Sequence, residues 1–341
     1  MKKDVYLFHS GTLKRKDNTL VYETNEQVYY FPIVQIRAIH VFGEISFNKP
    51  LINLLSKNGI GVSFYDYQGR YIGQYMPANC KSGKVLIEQV LAWQDTVRRN
   101  QIAYSIVISE ISNCLCTAKY YSGVTKREKL QGIISSLNSI IYDIRKMDGV
   151  EVGDPKYINR LLLLEARAKK NYYEIFDIVN DIGYFQFGKR TAYPANNAVN
   201  SMMNFCYAVL YGKVASEIDR SDLVKEISYV HGLTHHQNGA LQFDIADIYK
   251  SIMIDRAIIE MIQGQIVNEK DFYRRFDDAV YLTTAGRRKV VSHLDYVFSK
   301  PHDIGTRNMC FQEIIQSDIN NLTTAITCGE EFMPIRIDVE K

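Results

Sequence analysis

The chain has 341 residues, 46% of them hydrophobic and 23% charged, with 41 basic against 38 acidic side chains for a net charge of +3. That length suits about two domains of roughly 100–200 residues each, and the composition excludes a disordered or fibrous chain. The small net charge neither requires nor excludes a nucleic-acid partner, because such binding depends on a concentrated basic face.

The first residues, MKKDVYLFHSGTLKRKDNTL, open with a pair of lysines but have no apolar stretch of the kind that forms a secretory signal. No apolar run reaches the length of about 18 residues that a membrane-spanning helix needs, so a cytoplasmic location is expected. Up to about residue 80 the pattern is β-like. Val5 to Phe8 form a short apolar run, Asp17-Asn18 reads as a turn, and extended patterns resume at Leu20, at Val28 and at Ile36. Asn48-Lys49-Pro50 marks a break before helical spacing over 51–57, and Asn58-Gly59 reads as a turn. Residues 62–73 then read as a hairpin closed near Gln68-Gly69.

A linker is predicted near 77–83. From about residue 84 the apolar period becomes helical, with Val85, Leu86, Val90, Leu91, Val97, Ile102, Ile106 and Ile108 able to line one face. Further helices are predicted over 129–147, 155–179, 196–216, 245–263 and 311–328. The expected fold class is therefore α+β: a small N-terminal β-sandwich-like domain over 1–80 and a larger all-α domain over 81–341. Six cysteines, at 80, 114, 116, 206, 310 and 328, include no C-x-x-C pair and read as buried free thiols in a reducing compartment.

Three elements carry candidate chemistry. In FDIADI, Asp244 and Asp247 stand three apart, which on a helix puts both on one face, close enough to share a cation. The same spacing also suits a helix start, with Asp244 as a cap and Asp247 favoured by the helix dipole. Upstream, YVHGLTHHQNG places His231, His235 and His236 in a loop-like stretch. Neutral imidazole is a common metal ligand and proton carrier. His231 ends an apolar run, whereas His235 and His236 suit a polar surface loop. In LLLLEARAKKNYY, Glu165 follows four leucines beside an apolar helix face. An unpaired carboxylate is costly there, so it needs a metal or a basic partner. Arg167 and Lys169 read as solvent-facing neighbours. Lys189, Arg190, Lys250, Arg287 and Arg288, with the surrounding tyrosines, could form a track for phosphates and bases.

These stretches in this order resemble the CRISPR-associated spacer-acquisition integrases, the endonuclease family universal to CRISPR adaptation. The resemblance runs through YLFHSGTLKRKDNTLVYE, FPIVQIRAIHVFGEISFN and NGIGVSFYDYQGRYIGQY. It continues through the E-x-R-A-x-x-x-Y stretch from Glu165 to Tyr172, KRTAYPANNAVNSMMNFCYAVLYG, SYVHG and FDIADIYKSIMIDR. It implies that Glu165, His231 and Asp244 hold Mg2+ or Mn2+, that Asp247 is a further active-site acid, and that 81–341 is catalytic. It also implies joining of DNA 3′-hydroxyl ends into a CRISPR repeat array by transesterification. Double-stranded DNA, a homodimer formed through 1–80, and a small second adaptation protein are the implied partners. His231 lies 13 residues before Asp244 and His235 nine, so the spacing leaves His235 as an alternative ligand. Two other functions compete: a metal-dependent phosphodiesterase that only cleaves nucleic acid, and a non-catalytic DNA-binding scaffold.

Overall fold

The computed structural model describes residues 2–78, 81–125, 128–147, 152–180, 183–232, 240–275, 278–305 and 307–337. The chain opens with β1 (Lys3–Leu7), β2 (Gly11–Lys16), β3 (Thr19–Glu23), β4 (Val28–Pro32), β5 (Ile36–Val41) and β6 (Ile45–Phe47). Helix α1 (Lys49–Lys57), β7 (Gly61–Tyr65) and β8 (Tyr71–Tyr75) follow. They make two four-stranded sheets, in the orders β1-β5-β7-β8 and β4-β3-β2-β6. In the first sheet β5 is flanked by parallel neighbours and β8 runs antiparallel; in the second, β2, β3 and β4 form an antiparallel meander with β6 parallel to β2.

One apolar core joins both sheets and α1, through Leu7, Ile39 and Val62 of the first, Leu13 and Leu20 of the second, and Leu51 and Leu55 of the helix. Alternation along each strand turns these side chains to the same side. The break expected at 48–50 is a helix start: Asn48 accepts from the Leu51 amide, and Pro50 sits in the first turn, where its missing donor does no harm.

Ten helices follow among the described residues: α2 (Gly83–Gln94), α3 (Thr96–Thr125), α4 (Lys129–Met147), α5 (Tyr157–Tyr172), α6 (Ile175–Val179), α7 (Ala198–Arg220), α8 (Leu241–Tyr249), α9 (Arg256–Gln263), α10 (Thr284–Ser299) and α11 (Phe311–Cys328). The stretch expected as one helix over 155–179 is α5 and α6. The stretch over 245–263 is α8 and α9 joined by a π-helical segment, Lys250–Asp255. Helix α10, capped by the Thr283 hydroxyl, was not anticipated. Nor were two hairpins, β9 (Phe272–Arg274) with β10 (Val280–Leu282) and β11 (Pro301–Asp303) with β12 (Asn308–Cys310). Three-residue strands are too short for their alternation to show in sequence. The larger part is thus mostly helical, with two small hairpins. No helix is long and apolar enough to cross a membrane among the described residues.

Helix α7 is buried on nearly every side, as expected of a helix with no polar face. It packs on β7 closely enough that a Cβ on Gly212 would collide with the Tyr65 hydroxyl. Phe42 and Tyr65 share a core with Phe205 of α7, so the β-rich and helical parts meet through apolar contact. They also meet through charge. Asp4 of β1 pairs with Lys213 of α7 and accepts two hydrogen bonds from Arg37, at 2.9 and 2.7 Å, while the His40 ring lies 3.5 Å away.

None of the described cysteines forms a disulfide; Cys114, Cys206 and Cys310 are buried as expected, whereas Cys116 is half-buried and Cys328 exposed. Cys80 lies outside the described residues.

Candidate active site

Three helices converge on a buried acidic centre. Helix α3 brings Glu110, α5 brings Glu165 and α8 brings Asp247, each with less than a tenth of its surface exposed. One carboxylate oxygen from each lies within 4.8 Å of the others. Like charges at that spacing repel, and burial denies them water. Their common partner is Lys169, one turn after Glu165 on α5. Its Nζ lies 2.8 Å from Glu110 Oε1 and 3.0 Å from Asp247 Oδ2 and also pairs with Glu165. Lys250 of the π-helical segment pairs with the other oxygen of Asp247.

The electrostatics follow from this packing. Burial raises the Glu110 carboxyl, Lys169 pulls it back, and Glu165 and Asp247 add to the rise; it is pushed up to about 8. Burial also acts to raise Asp247, but Lys169 and Lys250 outweigh it and hold that carboxyl well below the usual range. Lys169 loses solvation yet gains three acids, so its ammonium is held well above the ordinary lysine value.

His231 approaches from the loop before α8. Its Nδ1 lies 2.7 Å from Asp244 Oδ1 and its Nε2 3.9 Å from Asp247 Oδ2. A carboxylate oxygen accepts here, so Nδ1 carries the hydrogen, and in the neutral ring Nε2 keeps its lone pair toward the acidic centre. Burial works against the imidazolium, but the Asp244 hydrogen bond and the charges of Asp247 and Glu165 outweigh it and raise the ring's pKa. Gly232, at φ +73°, turns the chain immediately afterwards in a conformation that suits glycine.

Asp244 is fully buried and its oxygens are taken up locally. It accepts from the Ser228 hydroxyl at 2.9 Å and from the amides of Tyr229, Val230 and His231 at 2.7, 3.2 and 3.3 Å, in addition to the imidazole. The structure therefore separates the two aspartates. Asp247 faces Glu165, while Asp244 fastens the loop and orients His231. This differs from the expected ligand set of Glu165, His231 and Asp244: the carboxylate brought to Glu165 is Asp247. The i,i+3 spacing put both acids on one helix face, but the loop amides converge on Asp244 alone.

Two members were missed in the sequence. Glu110 sits within an apolar helical stretch, so the cost argument applied to Glu165 applies to it equally. Lys169 reads as solvent-facing in sequence, yet its side chain is only 23% exposed and lies among three acids. The π-helical segment shifts the register after Tyr249. At its start the Ile248 carbonyl accepts from Asn113 of α3 at 2.7 Å, which ties α8 to the helix bearing Glu110.

The basic candidates scatter. Lys250 lies within the site, over the rings of Tyr207 and Tyr211 at 5.0 Å. Arg190 is committed to Asn200 and Asn204 at 3.1 and 2.7 Å. On α10, Arg287 donates to the Tyr67 carbonyl at 2.6 Å, and exposed Arg288 abuts His9. Lys189 is exposed. His235 and His236 lie outside the described residues.

Carboxylate oxygens with one neutral imidazole nitrogen form a donor set that could hold a hard divalent cation such as Mg2+ or Mn2+. The second ring nitrogen fixed by a carboxylate is the usual support of a metal-binding histidine.

The family model described as CRISPR associated protein Cas1 matches residues 5–296. A CRISPR-associated endonuclease Cas1 of Thermodesulfovibrio yellowstonii is 31% identical over 98% of each chain. The solved structure of a Cas1 protein from Thermotoga maritima matches with a TM-score of 0.82 and 25% identity, over 97% of this chain and 99% of that one. A casposase solved bound to an integration product matches with a TM-score of 0.83 over 98% of this chain and 93% of that one; at 19% identity it shows the shared fold.

Proposed function

From the premise that this chain belongs to the CRISPR-associated Cas1 family of endonucleases, we propose that it is a metal-dependent DNA integrase of CRISPR adaptation, with Glu165, His231 and Asp247 as its metal ligands. The observation that carries this reading is the meeting of Glu165 and Asp247 beside an imidazole whose far nitrogen is fixed by Asp244. Asp244 then acts through His231 by holding its ring.

A bound Mg2+ or Mn2+ supplies charge neutralisation on the phosphate and activation of the attacking oxygen. The protein's own groups do the rest. Asp244 and the 228–231 loop hold Nε2 of His231 toward the acidic centre. Lys250, over two tyrosine rings, holds positive charge beside Asp247, where it favours a phosphate. The mostly buried setting strengthens each of these interactions by excluding water. In joining, the 3′-hydroxyl oxygen of the incoming DNA bonds to phosphorus and loses its proton to water, the bond from phosphorus to the 3′-oxygen of the target strand breaks, and that oxygen takes up a proton from water as a new 3′-hydroxyl. With water as nucleophile the same site cleaves.

We further propose double-stranded DNA as the substrate, residues 1–80 as a dimerisation unit, a small second adaptation protein as partner, and the cytoplasm as the setting. The casposase of this fold, bound to its integration product, supports the joining reaction over simple cleavage. The test is strand transfer of labelled 3′-hydroxyl DNA into a repeat-containing plasmid with Mn2+. Joined product from the native chain and none from Glu165→Gln or Asp247→Asn supports the reading. Fragments without joined product reduce the protein to a nuclease, and neither product leaves a binding scaffold.

A further inference from the structure

We infer that the Lys169 ammonium stands where a second divalent cation would otherwise bind, so that the centre takes one ion and Lys169 positions the carboxylates around it. The inference rests on reading Glu165, Asp247 and His231 as metal ligands.

The donor count raises the question. Two acids and an imidazole suffice for one hard cation with open positions left for phosphate and water. Here a third carboxylate, Glu110, comes from a separate helix, with one oxygen within 4.8 Å of the other two. Such a density of acid is what two-ion phosphoryl-transfer centres use, with ions about 3.5–4 Å apart. Yet the partner of Glu110 is an ammonium: Lys169 Nζ lies 2.8 Å from it, 3.0 Å from Asp247, and pairs with Glu165. Being one helical turn from Glu165, Lys169 is aimed at the cluster by α5 itself.

An ammonium differs from a metal ion in ways that suit this role. It donates hydrogen bonds in up to three directions and brings one charge, enough to hold three carboxylates at fixed spacing against their repulsion. It cannot accept ligands, so it cannot activate an attacking oxygen. The second acid-rich position is thereby closed to catalysis by a tethered cation, and Lys250 adds a further fixed charge on the opposite oxygen of Asp247. A simple structural ion pair needs one acid; an ammonium bonded to three, two of them the proposed ligands, sets the geometry into which the metal binds.

The experiment is a Mn2+ titration of the full chain without DNA, followed by calorimetry and electron paramagnetic resonance. The native protein is expected to bind one Mn2+ per site with an uncoupled spectrum. Lys169→Gln is expected to bind a second, weaker Mn2+ and to show the spectrum of a coupled pair. Adding Glu110→Gln should abolish that second ion, and Lys169→Arg should keep the stoichiometry at one. Two ions in the native protein, or one only in folded Lys169→Gln, overturns the inference. A second ion that survives Glu110→Gln overturns it as well. Should Lys169→Gln fail to fold, the native and Lys169→Arg stoichiometries decide, and two ions in either one overturns it. Absence of Mn2+ binding in the native protein overturns the ligand assignment itself and this inference with it, an outcome distinct from binding two.

Discussion

Two of the places where the molecule buries charge stand on opposite balances. Where the β-rich part meets α7, the buried Asp4 carboxylate is surrounded by Lys213, Arg37 and His40, with half-buried Asp295 3.7 Å from Lys213 at the edge. Burial acts to raise the Asp4 carboxyl, but Lys213, His40 and Arg37 outweigh it and hold it well below the usual range. In the helical part, three carboxylates crowd around Lys169. The first arrangement is complete in itself and serves the fold. The second sets three acids against two ammoniums, Lys169 and Lys250, an excess of acid that suits a group that must receive a cation.

The widest gap between the two regions should appear in activity. Glu165→Gln and Asp247→Asn are each expected to lower strand transfer by roughly 10³-fold or more with the circular dichroism spectrum unchanged, as for groups that act directly on the reaction. Near-native joining by either variant would place the chemistry elsewhere. Asp4→Ala should do the reverse. It leaves Lys213 buried with its main partner gone, so urea denaturation should show a loss of about 3–5 kcal/mol, while joining per folded molecule stays near the native rate. A comparable fall in that rate would show that the two clusters are coupled.

A smaller effect is expected one step out from the acidic centre. Asp244→Asn keeps the side-chain shape but loses the charge that orients His231, so Mn2+ affinity measured by calorimetry should fall by about 10–100-fold. A complete loss of binding would return Asp244 to the ligand set in place of Asp247.

The subtlest test is the pH dependence of stability. Asp255, behind the site and bonded to Tyr207 at 2.7 Å, is pushed up to about 7 by burial despite that hydrogen bond. Its folded value exceeds its unfolded value, so the folded state holds the proton longer and stability declines as pH rises from about 4 to about 7. Asp255→Asn should lack this decline, with the stability difference from native changing by roughly 1 kcal/mol per pH unit across that window. For Asp4 the sign is opposite. Its folded value lies below the unfolded one, so its contribution is present above about pH 4 and is lost as pH falls further. Native and Asp4→Ala proteins should therefore converge in stability on acidification.

Much of this was legible along the chain. Alternating patterns marked the β-rich region and 3.6-residue patterns the main helices, because burial of one face imposes a period on each element. Glu165 stood out for its apolar neighbours, and the histidine loop before FDIADI for its residue types. Helix α10 and the short hairpins did not stand out, since their local patterns are brief or mixed. Glu110 carried the same signal as Glu165 but lacked a neighbouring motif to draw attention to it.

By itself, then, the sequence marked the main elements in order, the family resemblance, and the stretches that carry Glu165, His231, Asp244 and Asp247. Tertiary structure alone decided that Asp247 and not Asp244 meets Glu165, that Glu110 joins them from α3, and that Lys169 turns inward. The reason is physical: spacing along a helix sets which side chains share a face, but only the packing of α3, α5 and α8 sets which faces meet, and the loop amides that converge on Asp244 exist as a site only once the chain has folded.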